Sequence, residues 1–509
     1  MAKKDKNEPQ LLKAFFFKSK YMQMLEPDAQ VLILDNLQAE IKTATPATKA
    51  LMESLYAQML LEIYSRNSYN IENRTHVAGP APKNTNEWST KNFTDAINAA
   101  YLRSIANREL LYKTPLSKYD AIVEFAPVLA NTNRSVYDFL LSTYLDYERT
   151  APNHKRAGIH PANYPYIFAD EAAFQQATAM DTVSGAGGSM GLKLCQEAEA
   201  FYMQKKDTYA LQRAVLRRLE YAYKEIWWAE KNETYIKILG QLATTWGDSP
   251  FAYRALLGQA QLYDTTARKT DRPDYKDKAL QVCEIILKNK DKHDVAFEAE
   301  AIRGPIINRM ANLTIEQYIT PGQPSLGKIA FKNPEPVTIS FYKIKQPEGE
   351  KYNFRYLKNN TQFQDSLLKT TPVLKKTYQL PAAPGHFDYT TEVMLPPLQK
   401  GAYIVVISPV KDSITSSDCG FTTTQVAQIA LAQQRNDNKT VYYITDRNTG
   451  QPIEGVVATS GSVTYTSGDD GKIYIPSLKN DKGNGYKQAR FIYDGDTHEF
   501  VVEPHQAIP

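Results

Sequence analysis

Apolar positions recur three or four apart over the first 309 residues and alternate by two beyond them. Leu211, Val215, Leu219, Ala222 and Ile226 lie four, four, three and four apart, one stripe of an amphipathic helix. Tyr235, Leu239, Leu242 and Trp246 repeat the interval. So do Ala252, Leu256, Ala260 and Tyr263, after a start marked by Ser249-Pro250 as N-cap and first helical residue. Ala279, Val282, Cys283 and Ile286 predict a further helix, and Val295 to Ala301 begin one that meets Gly304-Pro305. Paired helices joined by short polar turns read as tetratricopeptide-like hairpins, although a clean period of about 34 residues is missing. Upstream, Ile33, Leu37 and Ile41 form a stripe, as do Leu51, Leu55, Met59 and Ile63 after Thr45-Pro46. Phe93, Ile97 and Tyr101, then Tyr137, Leu141 and Tyr144, continue it. From Ala151 to Gly191 the pattern weakens: Pro152, Pro161 and Pro165 interrupt any long helix, and Ser184 to Gly191 reads as a flexible loop.

The strand period begins after Arg309. Val337, Ile339 and Phe341 alternate with Thr338 and Ser340. Phe387, Tyr389, Thr391, Val393 and Leu395 predict a half-buried strand, whereas Tyr403 to Ile407 is apolar throughout, as a central strand is. Val441 to Pro476 reads as strand, turn, strand, glycine-marked turn, strand, with reversals at Asn448 to Pro452 and at Asp469-Asp470-Gly471. Turns are also expected at Asn436-Asp437-Asn438 and, before Phe500 and Val502, at Asp494-Gly495. The expected organisation is a helical domain over 1–190, tetratricopeptide-like hairpins over 191–310, and β-sandwiches over 311–424 and 425–509.

Length and composition agree with several ordinary globular domains: 509 residues, 42% apolar and 23% charged. Sixty basic against 56 acidic side chains leave a formal charge of +4, which gives no electrostatic reason to expect nucleic acid or an acidic membrane as the main partner. Cys195, Cys283 and Cys419 are odd in number and too far apart for a metal-binding CxxC. No apolar run approaches the ~20 residues that cross a bilayer. MAKKDKNEPQ lacks the apolar core of a signal peptide, so the start taken alone fits a cytosolic protein, or an exported one carrying an added Met.

Thr445-Asp446, Thr449-Gly450, Pro452-Ile453 and Gly455-Val456, followed by Ser467 to Gly471, are similar to a strand–turn signature, with one residue altered in the last segment, that marks the macroglobulin domains of the α2-macroglobulin family. The same run also resembles the carboxypeptidase regulatory-type sandwich, so it speaks for an architecture and not for an activity. Ser135 to Leu140 (SVYDFL), Asp248-Ser249-Pro250, Pro321 to Leu326 (PGQPSL), Val337 to Ile344 and Gly401 to Val405 (GAYIV) resemble successive segments of the amino-terminal part of bacterial, especially Bacteroides-type, members. The resemblance implies an α+β multidomain chain: an all-α, tetratricopeptide-like arm followed by two macroglobulin-type antiparallel β-sandwiches of immunoglobulin or fibronectin-like form. It also implies export to the periplasm, outer membrane or cell surface. Implied partners are downstream domains of a longer parent and proteases or envelope proteins, with a part in protease trapping or envelope defence. The family's Cys-Gly-Glu-Gln thioester has no counterpart here, since the cysteines stand in Cys195-Gln196, Cys283-Glu284 and Cys419-Gly420-Phe421.

The residues that could carry chemistry do not assemble into a motif. His76, His154, His160, His293, His386, His498 and His505 make no HExxH or paired spacing, and His154 and His160 read as loop histidines. Gly185, Gly187, Gly188 and Gly191 are followed by Leu192-Lys193 and not by Lys then Ser or Thr, so a flexible loop outweighs a phosphate loop. Asp469, Asp470 and Gly471 lack the further carboxylates of a calcium loop. Trp227-Trp228 and Trp246 are the best candidates for a ligand surface, weighed against core packing. No catalytic, metal or cofactor residue is assigned. The reading is a non-enzymatic interaction segment; the alternative is a cell-surface module that holds a peptide or glycan in its helical superhelix.

Overall fold

The computed structural model describes residues 8–25, 29–77, 79–123, 134–151, 164–176, 188–226, 229–344, 360–436, 439–460, 462–476 and 487–502. The chain divides into two compact units, Met1–Pro305 and Ile306–Pro509.

The first unit is helical: α1 (Glu8–Leu25), α2 (Ala29–Thr43), α3 (Pro46–Arg66), α4 (Ser68–Glu72), α5 (Thr90–Ile105), α6 (Arg108–Lys113), α7 (Val136–Thr150), α8 (Tyr164–Ile167), α9 (Glu171–Gln175), α10 (Gly188–Lys205), α11 (Thr208–Glu225), α12 (Lys231–Trp246), α13 (Pro250–Thr266), α14 (Tyr275–Lys288) and α15 (Ala296–Ile307). The stripe predicted on α2 is buried in full: Ile33, Leu37 and Ile41. α3 is different. Its buried side chains include Met52, Tyr56 and Leu60 besides Leu51 and Ile63, because the helix packs against both α2 and α5. Consecutive helices α12–α13 and α13–α14 pack on each other. The last helix runs through Gly304-Pro305 instead of ending there; a proline in a final turn removes only one helical hydrogen bond. The expected loop Ser184 to Gly191 is also corrected at its end, since Gly188 to Gly191 form the first turn of α10. Its earlier residues lie outside those described.

The second unit begins with strands. The three-stranded sheet β1–β3–β6 (Met310–Ile315, Ser325–Lys332, Tyr389–Leu395) faces a five-stranded one ordered β2–β8–β7–β4–β5 (Tyr318–Ile319, Gly420–Val426, Gly401–Pro409, Val337–Ile344, Leu374–Tyr378). Ile329 and Phe331 on one side meet Ile339, Phe341, Val405 and Ile407 on the other. Pairing is antiparallel as expected, apart from the two-residue β2, which lies parallel to β8. The five-stranded sheet is not open on its outer face. A helix unforeseen from the sequence, α16 (Thr361–Leu368), covers Tyr342, Ile404 and Val406, and Thr338 and Ser340 on the same face of β4 are buried as well.

A second pair of sheets follows: β13–β10–β9 (Lys472–Pro476, Lys439–Asp446, Ile429–Asn436) and β12–β11–β14–β15 (Val463–Thr466, Val457–Ser460, Lys487–Tyr493, Asp496–Val502). Between them lie Tyr442, Ile444, Ile473, Ile475, Ala458 and Phe491, with the Tyr442 and Phe491 rings 4.9 Å apart. The single strand expected between the two reversals is a hairpin, with Ser460 opposite Val463. Asp494 and Gly495, both at positive φ, make the expected tight turn into β15.

The Thr445 to Gly471 run is built from backbone demands. Asp446 Oδ1 accepts from the amides of Asn448 (3.0 Å) and Thr449 (2.8 Å), and its other oxygen accepts from Gln428 (2.9 Å). These bonds, with Gln428 foremost, hold its carboxyl below the usual range. Ser467 is buried; its hydroxyl accepts from Val456 N (2.9 Å) and donates to Ile453 O (2.8 Å), tying the loop to the sheet. Gly471 sits at φ +66°, and a Cβ there would lie 2.5 Å from the Ile444 carbonyl.

Ser467→Ala should therefore destabilise the β unit by about 1–3 kcal/mol, since two buried backbone groups lose their partner. Gly471→Ala should cost more than Gly450→Ala: both glycines have positive φ, but the space at Gly450 is open. Denaturation followed by near-ultraviolet dichroism of the three variants checks the order.

Candidate functional site

In the helical unit, one groove of about 750 Å³ is lined from α7, α11, α12 and α13, a volume in the range of ligand pockets. The buried stripe of α11, with Val215, Leu219 and Ala222, faces the core. Its neighbouring stripe, Arg213, Leu216, Arg217, Glu220, Tyr223 and Lys224, repeats at three- and four-residue intervals and faces the groove. Tyr235 and Leu239 of α12, one turn apart, add apolar lining, and Phe251, Arg254, Leu257 and Gln261 enter from α13. Arg134 enters from just ahead of α7.

The position of Arg134 is fixed by its backbone and by the helix cap that follows. Its carbonyl accepts from Leu116 N at 2.8 Å. Next to it, Ser135 and Asp138 form a capping box: the Ser135 hydroxyl accepts from Asp138 N (3.2 Å), while the Asp138 carboxylate accepts from Ser135 N (3.0 Å). The same carboxylate accepts from Tyr202 Oη at 2.6 Å and pairs with Arg213 at 2.7 Å. Arg217 pairs with Asp146 at 3.1 Å, Arg254 with Asp294, and Lys224 with Glu220 at 2.5 Å. Burial alone would raise the Glu220 carboxyl, but Lys224, Arg217 and Arg149 outweigh it and hold it low. Arg134 differs. Among the described residues no carboxylate pairs with it, and its Nε is buried without a hydrogen bond. Burial, with Arg213, Arg217 and Arg254 nearby, pushes its pKa down to about 10 against the pull of the Asp138 carboxylate.

Behind the groove lies a second polar cluster. Glu148 of α7 accepts from Gly191 N (3.1 Å) and from Tyr221 Oη (3.0 Å). Gly191 is required by contact and not by loop freedom, because a Cβ would fall 2.2 Å from a Glu148 oxygen. Burial raises the Glu148 carboxyl to about 7, against the pull of those two bonds. Arg218 and Glu199 are fully buried and paired at 2.7 Å, and Arg218 also donates to the carbonyls of Ile167 and Ala169. Here too burial raises the Glu199 carboxyl, with Arg218 opposing it. Both clusters tie α7 and α8–α11 together, and neither opens as a reaction site.

The candidates from the sequence fall elsewhere. Trp246 is half-buried against the core and does not line the groove; Trp227-Trp228, His154, His160, Gly185, Gly187 and His505 lie outside the described residues. His293 is buried under Tyr253, with Nε2 2.9 Å from Ile286 O and Nδ1 accepting from Val295 N, so it ties the turn before α15. His76 meets the Ser89 hydroxyl and His386 the Asn333 side chain. Asp470 accepts from Lys472 N (3.1 Å) and pairs with its ammonium, the chemistry of a turn. Among the described residues, no group of three or more His, Cys, Asp or Glu is placed to hold a metal ion. Cys195 and Cys283 are buried and Cys419 half-buried; burial raises the thiols, Cys283 and Cys419 to about 11. What the sequence reading missed was the groove. Its signal is present as the second, charged stripe of α11, which ordinary amphipathicity assigns to solvent.

No family model and no curated protein matches this chain. Among solved structures, it is similar to native α2-macroglobulin from Escherichia coli spanning domains MG0-NIE-MG1, at 16% identity and TM-score 0.27, over 38% of this chain and 64% of that one. It thus spans less than two thirds of that structure. The fragment of the same protein spanning NIE-MG1 is similar at 18% identity and TM-score 0.28, over 38% of this chain and 98% of that one. Red sea bream transglutaminase is similar at 11% identity and TM-score 0.20, over 42% and 34%.

Glu148 makes a pH test of the buried cluster. Its folded pKa of about 7 exceeds the unfolded value of about 4.3, so the folded chain holds more protons between these limits. Its contribution to stability therefore falls as pH rises from about 4.3 to about 7 and is level above. Glu148→Gln keeps an acceptor for Gly191 N and removes the charge, with the amide NH2 donating to the Tyr221 oxygen in place of the bond that Tyr221 donates in the parent. The variant should match the parent near pH 4.5 and exceed it near pH 8, by at most about 4 kcal/mol. Thermal melts of both proteins across that range check the sign.

Proposed function

We propose that this chain is a non-catalytic interaction segment of an exported α2-macroglobulin-like protein, with tetratricopeptide-like helices over 191–310 and macroglobulin-type sandwiches over 311–424 and 425–509. The observation that carries the reading is the Thr445 to Gly471 run: its polar residues and Gly471 serve the backbone, while Ile453 and Val456 pack in the core. Asp446 caps a turn, Ser467 ties a loop, and Gly471 permits a close crossing. The runs SVYDFL and GAYIV behave alike, one as a capping box that orients α7 and the other as the buried centre of a sheet. No set of nucleophile, base and orienting group comes together among the described residues, and the thiols are held protonated by burial.

In this reading the parent protein takes part in protease trapping or envelope defence at the periplasm or cell surface, and the present chain contributes contacts to downstream domains or to an envelope partner. A second reading, a peptide- or glycan-holding module, is favoured by the groove between α7, α11, α12 and α13. The two agree on a binding role for the helical unit.

Trapping needs a bait segment and enough domains to enclose an enzyme, so this chain alone should not trap. Incubated with a general protease, it should leave cleavage of large and small substrates in unchanged ratio. Selective loss of activity on the large substrate would sink the proposal.

A further inference from the structure

The groove carries its charges unevenly. Arg213, Arg217 and Arg254 each have a carboxylate, whereas Arg134 brings a guanidinium with a buried, unbonded Nε and no carboxylate among the described residues. A desolvated charge is costly until an opposite charge arrives. The Arg134 guanidinium lies over the Phe139 ring, 5.8 Å from its centroid, and its backbone is held by the bond from Leu116 N to its carbonyl and by the Ser135–Asp138 cap that follows. The other half of the lining is apolar: Leu239, Leu257, Phe251 and the rings of Tyr223 and Tyr235. A ligand that satisfies both halves carries an anion next to an apolar group.

We propose that the groove binds an extended acidic peptide segment, with a side-chain carboxylate forked on Arg134 and a neighbouring apolar side chain against Leu239 and Leu257. This rests on the reading of the chain as a binding segment and names the ligand class. A planar guanidinium presents paired donors that match a carboxylate. Nucleic acid fits less well, since a phosphate backbone needs a track of available cations and the three other arginines here are already paired. The cation at the rim, Lys224, shares its charge with Glu220 and would steer an anion more than hold it.

The test uses the full chain and three fluorescent probes: acetyl-Leu-Glu-Leu-Glu-Leu-amide, its Gln counterpart, and a thymidine oligonucleotide of about 12 residues. The Glu peptide should bind at least about tenfold more tightly than the Gln peptide, as one charge-assisted bond requires. Arg134→Gln should remove that preference with an unchanged melting temperature. Lys224→Glu, on an exposed part of α11, should slow association with the Glu peptide and leave the Gln peptide unaffected; it carries the test if Arg134→Gln lowers the melting temperature. Equal affinity for the Glu and Gln peptides would overturn the carboxylate assignment and leave the binding reading standing. Tighter binding of the oligonucleotide would overturn it in favour of phosphate. Binding of none of the three would overturn the groove as a ligand site, while the outcome of the protease assay would be untouched.

Discussion

One carboxylate organises the helical unit. Asp138 closes the cap of α7, receives the Tyr202 hydroxyl and pairs with Arg213 of α11, so a single side chain joins α7, α10 and α11. Such a hub is worth more than an exposed ion pair, because each bond restricts the geometry of the others in a place with little water. Arg134, four residues earlier, takes its position from that cap. Arg213 is held by the same carboxylate, whereas Arg134 pairs with no carboxylate among the described residues and keeps a buried Nε without a hydrogen bond. The groove is a consequence of how α7 is started.

The two units are held by different means. In the helical unit, buried polar groups sit among the core residues: Glu148 with Tyr221 and Gly191, and Glu199 with Arg218. These add geometric demands to a core of helices that could otherwise slide along their ridges. In the β unit, apolar faces are enough between the sheets, and the polar work is done at turns, by Asp446 and Ser467. Charge burial thus marks one half of the chain and turn chemistry the other.

The change from helical to strand spacing was legible because it reflects side-chain periodicity, which local sequence determines: the first strand starts at Met310. Two kinds of feature were not. The helix Thr361–Leu368 has only Phe363, Leu367 and Leu368 to betray it, too few for a period to emerge, and it forms because a sheet face needs cover. The hairpin of β11 and β12 was hidden for a similar reason, since Val456 to Thr466 is β-forming on both sides of its turn. The groove was illegible for a different one: a charged helical stripe looks the same whether water or a facing wall lies beyond it, and only the packing of α13 against α11 and α12 distinguishes them. Gly191 was misassigned by the same limit, as nothing local distinguishes a glycine needed for freedom from one needed for space.

Covering the outer face of the five-stranded sheet also changes how the gene can drift. In β6, side chains alternate between partly buried and exposed up to Leu395, so every second codon is open to polar exchange. In β7, seven successive residues from Ala402 to Ser408 are buried, and in β4 six from Val337 to Tyr342. Neither parity of those strands is spare. Substitutions there meet packed atoms whichever way they point, and the only room for variation is volume-neutral exchange. The β4–β7 pair should therefore be the slowest-changing text in this half of the chain for reasons of packing alone, and its constancy in relatives would say nothing about a binding site.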